Sequence, residues 1–213
     1  MAATIETLAK GGMGALSAMP GYQLHEYQLV IALPEALREK LRRARQQFHA
    51  QYQLPGGNTV VMLPLVKFKQ RQLLEERMRN SLQKMVSGWK PLQLHYKDFS
   101  SQPTHSIFIP MISRQNWQPL LRDLKSLQYM LRPDKEQQPF FVSEPVFTLA
   151  SRLAPGIYDK AWQQYAHRQF TAQFKAEACL LLKRSAGDSH WQILQRLEWR
   201  NLPIGVQQAS LFA

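Results

Sequence analysis

A chain of 213 residues that is 45% apolar, with no apolar run near the roughly 18 residues a membrane-spanning helix requires, reads as a globular protein. Its one cysteine, Cys179, excludes an internal disulfide and a cysteine-based zinc site. Lys and Arg number 27 against 15 Asp and Glu, and the resulting net charge of +12 predicts attraction to polyanions (RNA, DNA or anionic lipid surfaces) without naming one.

Residues 1–20 are small and weakly patterned. They lack a basic start, contain Glu6, and are interrupted by Gly11, Gly12 and Gly14, so they read as a flexible tail rather than a signal peptide. Residues 21–213 are expected to form one domain of two intertwined lobes. Leu24 to Leu33 is patterned as a strand. Pro34-Glu35 opens a helix, with proline in its first turn and an acid at its positive end. Leu37, Leu41, Ala44 and Phe48 form one apolar stripe, beside Arg38, Arg42 and Arg45. Pro55 to Asn58 is a turn, and Val60 to Phe68 a strand interrupted by Pro64. Gln70 to Val86 is a second helix with Leu73, Leu74, Met78, Leu82 and Met85 inward. Strands follow at Leu92–Phe99 and Ser106–Met111, then a helix from Asn116 to Leu131. Phe140 to Leu153 is mostly strand, and Tyr158 to Gln173 a fourth helix. Phe174, Ala176, Ala178, Leu180 and Leu182 alternate with Lys175, Glu177 and Lys183. Beyond the turn at 185–188, Trp191, Ile193, Gln195, Leu197 and Trp199 alternate with Gln192, Leu194, Arg196 and Glu198, a hairpin with one buried face. This order predicts an α+β domain of curved, mostly antiparallel sheets with helices outside.

Familiar chemical motifs are missing. There is no GxGxxG, no GxxxxGK[ST] and no GxSxG. The six histidines (His25, His49, His95, His105, His167 and His190) show no zinc spacing. No metal or other cofactor is expected. Glu75 and Glu76 are neighbours on a helix, about 100° apart, and read as partners of Arg71 and Arg79 rather than as an acid/base pair.

The informative segment is Ser143-Glu144-Pro145-Val146-Phe147-Thr148-Leu149-Ala150-Ser151-Arg152-Leu153. It resembles the second signature strand of the 2H phosphoesterases, the 2′-5′ RNA ligase-like superfamily, where Pro-His-x-Thr-hydrophobic-Ala-Arg is typical. An aromatic helix (Tyr158, Trp162, Tyr165) and a strand ending Leu182-Lys183-Arg184 follow, as in that family. Val61 to Phe68, then Glu75-Glu76-Arg77, resembles the first signature strand and its helix. Glu26 to Pro34 resembles the opening strand. The likeness spans about residues 22 to 200 and implies a two-lobed fold with internal pseudo-twofold symmetry.

In that family each signature is His-x-Thr/Ser. Residues two apart on a strand share a face, so each half aims an imidazole and a hydroxyl into a central cleft. One histidine serves as general base and the other as general acid on a phosphodiester. This chain departs from the pattern at those positions. Val146 stands where the second histidine belongs, with Thr148 kept. Ser151 takes the arginine position, with Arg152 one step on. Anchoring on Phe68 puts Met62 and Pro64 at the first signature; another register puts Thr59 and Val61 there. Neither supplies a histidine.

The remaining residues are weighed against plain structural roles. His105 begins a strand that matches a non-catalytic one. His25 and Tyr27 share a strand face that either borders the cleft or is an ordinary edge. Thr148 binds an anion or bonds locally. Arg38, Arg42 and Arg45 form a solvated helix face before they form an RNA contact. Lys67 and Lys69 are the better anion contacts, and the tryptophans belong to the core. The leading expectation is a cytoplasmic, non-catalytic binder of RNA, nucleotide or another phosphate ligand, with Thr148, Lys67, Lys69, Arg152, His25 and Tyr27 as ligand contacts and no membrane insertion. The alternatives are an active cyclic phosphodiesterase using shifted residues, and a scaffold for a protein partner.

Overall fold

The computed structural model describes residues 19, 21–57, 60–185, 187–188 and 190–202. The expected N-terminal tail, apart from residue 19, and Thr59 of the alternative register lie outside them. The elements are β1 (Leu24–Ile31), α1 (Glu35–Gln51), β2 (Leu63–Arg71), α2 (Glu75–Ser87), β3 (Leu92–Lys97), β4 (Ser100–Gln102), β5 (Ser106–Pro110), α3 (Gln118–Ser126), β6 (Phe140–Phe141), β7 (Val146–Ser151), α4 (Pro155–Tyr165), β8 (Thr171–Ala176), β9 (Ala178–Ser185) and β10 (Gln192–Glu198). Every strand pairing among the described residues is antiparallel.

A five-stranded sheet runs β10-β9-β1-β2-β6. The pair β3-β8 and the three-stranded sheet β4-β5-β7 make the second group, joined by a bridge between Tyr96 and Met111. The chain passes between the groups repeatedly, so neither half of the sequence owns one sheet.

Two of these passages change the expected strands. Phe140 to Leu153 splits: Phe140–Phe141 pairs with Val66 and Lys67 on β2, whereas Val146–Ser151 pairs with β5. The strand expected from Phe174 onward also splits, at exposed Glu177, into β8 against β3 and β9 against β1. The break shifts the alternation by one residue. Cys179 and Leu181 become fully buried, and Leu180 and Leu182 turn to the other face. The fourth helix ends at Tyr165, eight residues before its expected end at Gln173, and the freed segment becomes β8 with a strict exposed/buried alternation. Leu73 and Leu74, expected inside a helix, are exposed at 64% and 36% in a 3-10 turn. There β2 runs on to Arg71, and Gln72 and Leu73 donate backbone bonds to Gln23 and Gly21 at 3.0 and 2.8 Å, so α2 starts only at Glu75. In β10 a register shift between Ile193 and Gln195 leaves Ile193 65% exposed while Leu197 and Trp199 are buried.

α1 lies along the open edge of β7. The Arg45 guanidinium donates to the Thr148 carbonyl, through Nε at 3.2 Å and also through Nη2. His49 Nε2 stands 3.0 Å from the Leu149 carbonyl oxygen. An unpaired strand edge is thereby capped by side chains. Arg45→Met should lower stability by about 1.5–3 kcal/mol, the range for a charge-assisted bond, as read by urea unfolding. No change would mean that solvent replaces the guanidinium.

Candidate functional site

Strand register decides which residues share a surface. Leu29 pairs with Val66 but Val30 pairs with Pro64, so Leu65 is an extra residue, a bulge on β2. Leu65 and Val66 are accordingly both fully buried. Pro64 has no N–H to give, and β6 pairs only with Val66 and Lys67, so the proline stands where no strand needs a donor from it.

On the face of the large sheet away from Tyr27, three rows cross the strands. Lys69, Glu26 and Arg184 form the first. Lys67, Gln28 and Leu182 form the second, and Pro64, Val30 and Leu180 the third. The first row and Lys67 and Gln28 of the second, with Tyr27, Phe68, Trp191 and the loop residues Glu136, Gln137 and Gln138, line a cavity of about 590 Å³. Val30 and Leu180 of the third row also line a mostly apolar hollow of about 540 Å³, with Val60, Met62, Leu182, Trp191 and Ile193 and with Arg38 and His190. Trp191 stands in the wall of both.

Within the polar cavity, Arg184 is ion-paired to Glu26 and lies 4.6 Å over the Trp191 ring. Lys67 and Lys69 are exposed and make no hydrogen bond or ion pair among the described residues. The loop is pinned by Asp134 Oδ1, which accepts from the backbone N–H of Glu136 and Gln137 at 3.0 and 2.8 Å. The sequence reading missed Glu26, Gln28, Arg184 and Trp191. Glu26-x-Gln28 in an otherwise apolar strand was the available signal.

Tyr27 and Phe68 also line this cavity, although the Tyr27 side chain is buried on the α2 side of the sheet; His25, two residues before it on the same side, is not among the lining residues. Tyr27 stacks on Phe68 with ring centroids 5.4 Å apart and donates to Glu75 Oε2 at 2.7 Å. Lys183 Nζ reaches the same oxygen at 2.6 Å. Burial acts to raise the Glu75 carboxyl, but the bonds from Lys183 and Tyr27 outweigh it and leave the pKa lowered. Burial and the Glu75 charge push the Tyr27 phenol far up. His25 is 7% exposed, and neither ring nitrogen has a partner among the described residues.

The second signature strand sits on the other sheet. Thr148 pairs with Phe108, and Val146 with Pro110. Val146, Phe108, Pro110, Trp117 and Glu144 line a small cavity of about 200 Å³. Arg152 lies just past β7, exposed, with a positive φ of 57°. No cavity among those described is lined by residues of both β2 and β7. Nor does a histidine stand beside Met62 and Val146 together. His49 is held by main-chain carbonyls, His105 and His167 are exposed elsewhere, and His190 borders only the apolar hollow.

No protein-family model matches the chain, and no curated protein matches it. Solved structures do match it. The crystal structure of TT0787 of Thermus thermophilus superposes with a TM-score of 0.55 at 19% identity, over 82% of this chain and 98% of that one. Escherichia coli LigT complexed with 3′-AMP gives 0.53 at 14% identity, over 83% and 98%. LigT complexed with phosphate gives 0.51 at 13% identity, over the same shares. Both proteins are 2H phosphoesterase, or 2′-5′ RNA ligase, family members. This chain has the 2H phosphoesterase fold. In that fold β2 and β7 are the strands that resemble the two signatures, and they carry, or directly follow, Met62, Pro64, Val146 and Thr148.

Two outcomes test the frame beneath this face. Glu75 is held below the ordinary carboxylate range, so its contribution is present above that range and lost as pH falls through the folded value. Glu75→Gln should cost about 1–3 kcal/mol at pH 7 by leaving Lys183 unpaired. The difference from the parent should shrink as the pH falls below about 4, the ordinary range; urea unfolding at pH 7 and pH 3 reads it. His25→Leu should leave stability unchanged or raise it by about 1 kcal/mol, since it removes buried polar atoms that have no partner. A loss of stability would reveal a bond to His25 that only solution supplies.

Proposed function

We propose that this chain is a cytoplasmic, non-catalytic 2H-fold protein that binds RNA, nucleotide or another phosphate-bearing ligand on the face carrying Lys67 and Lys69. The observation behind this reading is one juxtaposition. Two exposed ammonium groups without partners lie on the sheet face that carries Pro64, beside the hollow that Met62 lines. The resemblance would place histidine and a hydroxyl at Met62 and Pro64. A thioether, a pyrrolidine and the Val146 isopropyl group neither take nor give a proton at any pH, so the acid/base pair is missing while the means to hold an anion is kept. The net charge of +12 supports a polyanionic ligand. The LigT structures with 3′-AMP and with phosphate supply the ligand class by analogy of fold. Thr148 and Arg152 are assigned a subsidiary part, since they border a different surface.

A second reading, a scaffold for a protein partner, is favoured by Val60, Phe140 and Ile193, which are 66%, 65% and 65% exposed. No helix among the described residues is long and apolar enough to cross a membrane.

The test uses a fluorescent RNA oligonucleotide ending in a 2′,3′-cyclic phosphate. The protein should bind it with strong salt dependence and show no hydrolysis above a protein-free control by chromatography. Lys67→Gln/Lys69→Gln should weaken binding and flatten the plot of log affinity against log salt by about 0.7 per lysine. Turnover by the parent protein would overturn the non-catalytic reading. Unchanged affinity in the lysine variant would move binding off this face and favour the scaffold.

A further inference from the structure

The polar cavity and the apolar hollow share Trp191 as a lining residue, and the hollow is also lined by Val60 and Ile193, 66% and 65% exposed, and by half-buried Met62 and Leu180. Side chains of this apolar character, exposed together beside partnerless lysines, invite a ligand with one anionic and one apolar end. The spacing limits its size. Leu182, in the Lys67 row, and Leu180, in the next, are two residues apart on β9, a distance of about 7 Å along a strand. An apolar group joined directly to a phosphate ester spans that gap, whereas a long polar body would set the apolar end down beyond the hollow. The surface beneath is one face of a sheet, flanked by the Trp191 indole, over whose ring Arg184 lies at 4.6 Å. Such a shape suits a flat ring.

We propose that this face takes a phosphate ester of a compact aromatic group, with the phosphate on Lys67 and Lys69 and the ring on Met62, Leu180 and Ile193 beside Trp191. This rests on the reading that phosphate binds at the two lysines and adds what the phosphate is attached to. The residues at the first signature then have a use: Met62 serves as floor for the ring.

The experiment is titration calorimetry of the full chain with 1-naphthyl phosphate and, separately, glycerol 3-phosphate, which carries the same anion on a polar body. Naphthyl phosphate should bind at least about tenfold tighter. Ile193→Gln and Val60→Gln, both at exposed positions and checked for folding by circular dichroism, should remove most of that advantage and leave glycerol 3-phosphate unchanged. Lys67→Gln/Lys69→Gln should weaken both ligands. Equal affinities for the two esters would overturn this inference and leave phosphate binding standing. A naphthyl preference insensitive to Ile193 and Val60 would overturn the assigned location. Failure of both esters to bind would sink the phosphate reading itself and this inference with it.

Discussion

The pairing of β1 with β2 on one side and β9 on the other is the constraint from which both faces of the large sheet follow. A strand alternates its side chains, so one extra residue reverses everything beyond it. The bulge at Leu65 is that residue. On one side of it Val66 and Phe68 join Tyr27, Leu29 and Leu181 against α2. On the other, Leu63 takes the buried place and Pro64 shares a surface with Val30, Leu180 and, two rows away, Lys69. Without the bulge the lysines and the first-signature residues would stand on opposite faces.

Charge on the chain is unevenly committed. Along α1, Arg38 is paired with Glu35, and Arg42 and Arg43 share Glu39, whose carboxyl those two arginines hold down at about 2. That helix face is a solvated, self-neutralising one, as expected for i, i+3 and i, i+4 pairs. Arg45 has left it to cap β7, so the expected row of three arginines is not a row in function. Lys183 is committed to Glu75 and Arg184 to Glu26. Lys67 and Lys69, by contrast, are exposed on the polar cavity and paired with nothing among the described residues. A net charge says little by itself; which cations are already spoken for says where an anion can gain.

The fold was legible because its signals are local. The stripe of Leu37, Leu41 and Phe48 and the alternation of β1 each state their own element, and their order carried the resemblance to the 2H superfamily. The splits at Glu177 and between Phe141 and Val146 were not legible, because each turns on which distant strand the segment meets, and periodicity does not record a partner. His25 and Tyr27 show the same limit. Their two-residue spacing correctly gave a shared face, but which face needed the contacts of Tyr27 with Glu75 and Phe68. Lys67 and Lys69 were readable since polar residues alternating with Val66 and Phe68 have only one side to occupy. Trp191 was misread as core because a bulge two residues on reverses the buried side of β10.

Binding and catalysis make different demands on such a cleft. Proton transfer needs a titratable group within hydrogen-bond reach of the reacting atom, and replacing it by carbon or sulfur abolishes the step. Holding a phosphate needs only donors and positive charge near the right place, and several arrangements serve. On the proposed reading, Met62 and Val146 at the signature positions cannot carry out that proton transfer, whereas Lys67 and Lys69 still offer an anion donors and charge. Apolar side chains beside the lysines offer no hydrogen bonds to a ligand, which disfavours anions that bring a full hydration shell. If phosphate ligands bind at Lys67 and Lys69 as proposed, the apolar neighbours would favour those with an apolar side to turn toward Met62.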